Sequence, residues 1–218
     1  MMIRALATAA AGLVLFSGTA AAYPIQGAPE LTNNDLYRAG KLTKTSCTPN
    51  KGTTRAATEK YIRTLVGCLD KAWGRDAIKV EIHYEPDGKK KYKSWPFVSF
   101  DGIYVGLADD WIKARNELPV FHGMAAVYGE TVLVETGIAR AATTLDYHGD
   151  EKELEEQERR YAYQKTCLAG AAAKALGRPV KSWKSLLKGN ERHWFEQGFK
   201  AGGPSACNTW KAPEAKVA

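Results

Sequence analysis

Beyond its first two dozen residues, the 218-residue sequence has no apolar run approaching the length that spans a bilayer. It has no G-x-S-x-G elbow, which argues against a serine hydrolase. A Gly-rich phosphate loop is missing too, since Gly202-Gly203-Pro204 follows a helical pattern and reads as a cap and turn. The four cysteines include no C-x-x-C pair, which argues against a cysteine-built zinc site. No nucleic-acid-binding motif accompanies the net charge of +7, so the basic balance does not point to DNA or RNA. Asp109-Asp110 and Asp146 are carboxylates, but their separation cannot be read from sequence and they do not define a glycosidase.

What is present begins with a leader. Arg4 precedes the apolar stretch Ala5 to Phe16, and small residues then lead to Ala20-Ala21-Ala22 before Tyr23. This pattern predicts a signal peptide over 1–22 with A-x-A-like cleavage. The expected product is secreted or associated with the cell envelope, with no transmembrane anchor after cleavage. The leader holds one Arg and no acid, so the remainder keeps +6 of the +7. In an oxidising compartment, Cys47, Cys68, Cys167 and Cys207 favour two disulfides. Three pairings are open. Cys47–Cys68 with Cys167–Cys207 closes the shorter loops and staples each end separately.

Residues 23–46 open a stretch rich in Pro, Gly, Asn, Thr and Lys without sustained period, read as an extended arm. Thr53 to Trp73 has helical spacing and stops at Gly74. Ile78 to Tyr84 alternates as a half-buried strand, Pro86-Asp87-Gly88 reads as a hairpin turn, and Trp95–Phe100 and Ile103–Leu107 are two more strands. Helices are expected over Val120–Thr136, Asp150–Leu176 and Asn190–Lys200. In the long one, Glu151 to Arg160 reads as a solvated face, and the Ala/Gly-rich run after Cys167 as a close contact with another helix. The fold class is α+β: a small antiparallel-containing sheet, a mainly helical C-terminal half and two disulfides.

The order of several segments is recognisable. Cys68-Leu69-Asp70 with Trp73, Ile103-Tyr104-Val105, the 125–138 helix, Gln164 with Cys167-Leu168-Ala169-Gly170, Trp194-Phe195 with Gly198-Phe199, and Cys207 follow one another. Together they resemble the bacterial neutral zinc metallopeptidases, over roughly residues 47–210. The resemblance implies a zincin-like domain at 47–210, followed by a tail at 211–218. It also implies zinc as cofactor, held by H-E-x-x-H and a third ligand Glu. Two His one turn apart bind the metal from one helix face, and the Glu between them activates the bound water.

Here the chain departs from that pattern. Tyr128, Gly129, Val132, Gly137 and Ile138 keep the frame, but Ala126 stands at the first His, Val127 at the base and Glu130 at the second His. In the run E-L-Q-A-D-C-x-A-G that the resemblance implies for the third ligand, Ala162 occupies the Glu position and Thr166 that of the Asp. One carboxylate cannot replace three zinc ligands, so no cofactor is expected. The reading that follows is a catalytically inactive metallopeptidase-like binding or structural module, whose residual cleft would involve Glu130, His122 and Tyr128. Its partner would be an unknown protein, a peptide or an anionic envelope polymer. Two alternatives stand beside it. One is a metal-dependent hydrolase with a rearranged site, built from His122, Glu130 and His148. The other is a basic envelope binder using Lys89, Lys90, Lys91 and Lys93, a cluster that also reads as the solubilised tip of a hairpin or edge strand.

Overall fold

The computed structural model describes residues 28–85, 92–145 and 151–218. The leader, the 86–88 turn, Lys89 to Lys91, Asp146 and His148 lie outside the described residues. Besides short 3₁₀ turns, the described residues form α1 (Pro29–Thr32), α2 (Arg55–Trp73), β1 (Val80–Tyr84), β2 (Trp95–Ser99), β3 (Gly102–Leu107), α3 (Asp109–Lys113), α4 (Leu118–Glu135), α5 (Ile138–Thr143), α6 (Glu151–Ala175) and α7 (Gly189–Ala201). The fold is α+β, with one small mixed sheet and two disulfides, Cys47–Cys68 and Cys167–Cys207. By restricting the unfolded chain, each bridge contributes about 3–4 kcal/mol. No described helix is long and apolar enough to cross a membrane.

Helix α2 shows how local signals set its ends. The Thr54 hydroxyl accepts from the Ala57 amide at 3.3 Å, a side-chain N-cap. Gly74 closes the helix in the left-handed region at φ 63°, which costs glycine little. Between them Tyr61, Ile62, Leu65, Val66 and Leu69 form one buried stripe.

The sheet order is β1-β3-β2, with β3 parallel to β1 and antiparallel to β2. The hairpin expected at 86–88 is therefore corrected: β1 and β2 are not neighbours, and β3 lies between them. Alternation fixes which face a strand buries but not which strand it joins. Here Gly102 lets β3 approach β1 closely, since an added Cβ would sit 2.2 Å from the Lys79 carbonyl oxygen. That carbonyl accepts from the Ile103 amide at 2.9 Å and starts the parallel ladder. Ile103, Val105 and Leu107 then point inward with Val80, Ile82 and Val98, towards α2 and α4.

Helix α4 is apolar on nearly every side because α2, α6 and the sheet all pack against it. Helices α6 and α7 meet almost backbone to backbone. A Cβ on Gly170 would lie 2.0 Å from the Phe195 carbonyl oxygen, and one on Gly198 would lie 1.8 Å from that of Cys167. The small-residue run after Cys167 serves that approach.

Two ends of the chain differ from their compositional reading. The stretch read as an extended arm carries α1 and a 3₁₀ turn at Asp35–Arg38, and buries Leu31 and Leu36 in the main core. The Glu151–Arg160 face is not wholly solvated: Glu153, Gln157 and Arg160 are buried. The C-terminal segment covers Arg160, whose guanidinium donates to the carbonyls of Thr209 and Ala212, and it places Thr209, Trp210 and Val217 in the interior.

Candidate functional site

Positions 126–130 lie on the middle of α4, where Gly129 has room for no side chain: its Cβ would be 2.9 Å from that of Leu168 on α6. This close crossing carries Glu130 to the facing helix. Its carboxylate accepts from the Tyr161 hydroxyl at 3.2 Å on Oε1, and Lys165 Nζ lies 3.3 Å from Oε2. Tyr161 and Lys165 are one turn apart on α6, either side of Ala162, and the ammonium also sits 5.1 Å from the tyrosine ring centre. Burial, reinforced by the neighbouring carboxylate, pushes the Tyr161 hydroxyl well above its ordinary pKa, so it stays a donor. The arrangement is a charge-compensated clamp between α4 and α6. Of the other matched positions, Val127 is buried, Ala126 half-buried and Ala162 exposed, and none carries a polar side-chain atom.

Tyr128 points the opposite way, towards α2. Its hydroxyl donates to Asp70 Oδ1 at 2.8 Å, and the Ile78 amide reaches the same oxygen at 3.4 Å. Burial raises the Asp70 pKa, and the hydrogen bond from Tyr128 opposes that shift. Arg75 lies 5.4 Å from the Tyr128 ring centre, donates to Thr131 Oγ1 at 2.8 Å and pairs with Glu135. Arg75, Thr131 and Glu135 line a cleft of about 770 Å³, with Lys79, Asp101 and the fully exposed Phe100 on its far wall.

His122 belongs to neither group. Its ring lies 6.4 Å from Trp183 and 6.3 Å from Phe195, centre to centre, and Nε2 is buried without a hydrogen-bond partner. Desolvation drops its pKa to about 4, so it is neutral at physiological pH. Glu191 is 4.0 Å away, beyond hydrogen-bond reach, and a neutral ring makes no ion pair with it. His122 and Glu130 are eight residues apart on one helix, about 12 Å along its axis. They face α7 and α6 respectively, so the structure does not bring them together. The remaining described histidines are dispersed: His83 is exposed on β1, and His193 lies edge-on to Trp194 on α7. Among the described residues no group of three or more His, Cys, Asp or Glu side chains is placed to hold a metal ion.

No family model, no curated protein and no solved structure matches this chain. Its chemistry is therefore read from its own residues.

Two features escaped the sequence reading. One is a buried polar relay through Gln164: Trp210 Nε1 donates to its carbonyl at 2.8 Å, and its amide donates to the Tyr37 hydroxyl at 2.9 Å. Tyr37 in turn donates to the Leu31 carbonyl at 2.8 Å. Burial raises the Tyr37 pKa, keeping it protonated. The other is an aromatic surface. Trp95 and Phe97 on β2 are exposed and stacked nearly parallel on each other, with ring centres 5.2 Å apart and planes 7° apart. Phe97 is 4.9 Å from Tyr104 on β3, which is 4.8 Å from His83 on β1. The alternation of Trp95 and Phe97 with Pro96 and Val98 was the signal for it: a strand with apolar residues on both faces but only one core to bury them in.

Proposed function

We propose that the chain is an exported, non-catalytic binding module, related to the neutral zinc metallopeptidases and carrying a structural clamp where those enzymes hold their metal. The observation that carries this reading is the state of Glu130. It is the one carboxylate left at the positions matched to the metal ligands and the base, and both its oxygens are engaged by Tyr161 and Lys165. Position 130 also faces the turn of α6 that contains Ala162, which supports the alignment of these two helices with the peptidase pattern.

Zinc does not fit this centre. Ala126, Val127 and Ala162 supply no donor, and the Lys165 ammonium occupies the charge position a cation would need. With Val127 at the base position, no side chain there could take a proton from water. Export is supported by the leader-like first 22 residues and by two disulfides, which persist in oxidising compartments.

The test is the zinc content of the purified protein after equilibration with trace zinc and dialysis. A well-folded protein with far less than one zinc per chain is the expected result. Near-stoichiometric zinc that disappears in Glu130→Ala or His122→Ala would overturn the proposal in favour of a rearranged metallohydrolase.

A further inference from the structure

A second cleft, of about 690 Å³, opens between residues 44–48, the C-terminal end of α6 and Phe199 on α7. Three of its lining side chains are cations, Lys44, Lys174 and Arg178, and none of the described residues that line it is an acid. Glu117, from outside the cleft, pairs with Arg178 Nη1 at 2.8 Å. The Nε and Nη2 of Arg178 are buried beside the Phe121 ring without an acceptor, so this guanidinium is a fixed charge with a single partner. Lys174 lies over the Phe199 ring, 5.1 Å from its centre. Among the described residues no carboxylate pairs with Lys174 or Lys44. Cations at the end of α6 suit its dipole, which accounts for Lys174 and Arg178, but Lys44 is on no helix. Beside it, Ser46 and Thr48 add hydroxyls, and the amides of Ser46, Cys47 and Thr48 donate to no acceptor among the described residues. The run that bears them is held in place. The Thr45 amide donates to the Ala175 carbonyl at 3.0 Å, and Cys47 is bridged to Cys68 on α2.

We infer that this cleft binds a phosphoryl group. Two unmatched ammoniums in one cleft call for two negative charges on the ligand, and a phosphate monoester carries about −1.5 to −2 at neutral pH. Its three free oxygens also accept more bonds than the two of a carboxylate, which suits the donors of 46–48. A carboxylate or a phosphodiester brings a single charge and leaves part of the cleft's charge unanswered. Arg178, held by Glu117, adds its field from the end of the cleft rather than a new bond. Because the 45–47 run is already tied to α6 and α2, binding needs little ordering of the chain. The cleft is larger than one phosphate, so the group is carried on a larger molecule, either soluble or a lipid with a phosphate headgroup.

The cleft lies roughly two turns beyond Lys165 on α6 and shares no residue with the clamp. Stoichiometric zinc would therefore overturn the earlier proposal and leave this one standing. The experiment is calorimetric titration of the oxidised protein with glycerol 3-phosphate, and flotation with phosphatidylcholine vesicles with and without phosphatidate. Trigalacturonate is the probe for the carboxylate rival. Binding of glycerol 3-phosphate or of the phosphatidate vesicles is expected, and which of them binds tells a soluble ligand from a lipid headgroup. It should weaken in molar salt and shift the amide resonances of 44–48 and 174–178. Lys44→Gln with Lys174→Gln should weaken it at least about tenfold. Lys60→Gln, on α2 outside the cleft, should leave it unchanged. All three lysines are exposed, so these variants keep the fold, checked by their far-ultraviolet spectra. No binding, binding of trigalacturonate alone, binding undiminished in the double variant, or an equal loss in Lys60→Gln would each overturn the inference.

Discussion

Replacing Arg160 by Met should cost the fold more than any change at an exposed cation. The Arg160 side chain is fully buried on α6. Its Nε donates to Glu156 at 2.8 Å, and Nη1 donates to the carbonyls of Thr209 and, at 2.9 Å, Ala212. The Thr209 hydroxyl returns a 2.8 Å bond to the Arg160 carbonyl, so the two segments are locked in both directions. Methionine keeps the apolar stem but strands two carbonyls, each worth about 1–3 kcal/mol when left unsatisfied. Glu156 retains some access to water, which softens its loss of partner. The expected net is about 3–5 kcal/mol, the range for breaking a buried charged pair. In a domain of this size that lowers Tm by roughly 6–20 °C. The companion variant Arg55→Met removes a half-exposed i,i+4 pair with Glu59 and a contact over the Tyr84 ring, and should cost no more than about 1.5 kcal/mol. Urea titration of both variants decides the matter, and hydrogen exchange should show faster opening at 209–217 in the first alone. A loss under about 1 kcal/mol for Arg160→Met, or exchange unchanged in that segment, would refute the argument.

Stability should also fall as pH drops from 6.5 towards 4. The unfolded chain binds a proton at His122 over that window while the folded chain, with its pKa near 4, does not; the difference amounts to about 3 kcal/mol. Glu191, the carboxylate facing the ring, has its own pKa raised by burial and works in the opposite direction. Melting curves of His122→Phe should therefore show a flatter acid limb than the parent, and an unchanged slope would refute the assignment. Glycines give a paired test by chemical denaturation. Gly67→Ala, in the interior of α2 with open space at the Cβ position, should stabilise by about 0.4–1 kcal/mol. Gly198→Ala forces a side chain into the α6 backbone and should destabilise by at least about 1–3 kcal/mol. Equal effects would mean that the helix crossing is looser than described.

Local chemistry was legible in the sequence wherever its cause is local. Gly74 ends α2 because a left-handed residue must follow, and the Gly/Ala run of α6 marks a contact that only small side chains permit. The position of β3 was not legible, because the residues that draw it to the centre act through the Lys79 carbonyl, which every sequence possesses. Arg160 looked solvated for the same reason: its partners are main-chain carbonyls about fifty residues downstream. Leu31 and Leu36 stand alone among polar residues and show no period, yet each fills the core. At the candidate site, the motif positions on α4 could be named from sequence, whereas the neutralisation of Glu130 required knowing that α6 crosses at Gly129. His122 looked like a possible ligand from helical spacing, but spacing does not reveal that Trp183 and Phe195 enclose it.

Gln164 joins residues that the ribosome makes far apart in time. Tyr37 precedes it by 127 positions and Trp210 follows it by 46, and Asn208 reaches back 176 positions to the Thr32 carbonyl at 2.8 Å. A chain emerging end first cannot satisfy this amide until both outlying segments are present, so the relay closes only when the two ends have docked. Contacts of such separation also form slowly. Until both ends have docked, the polar stripe of α6 that carries Arg160 and Gln164 has only water to bond with.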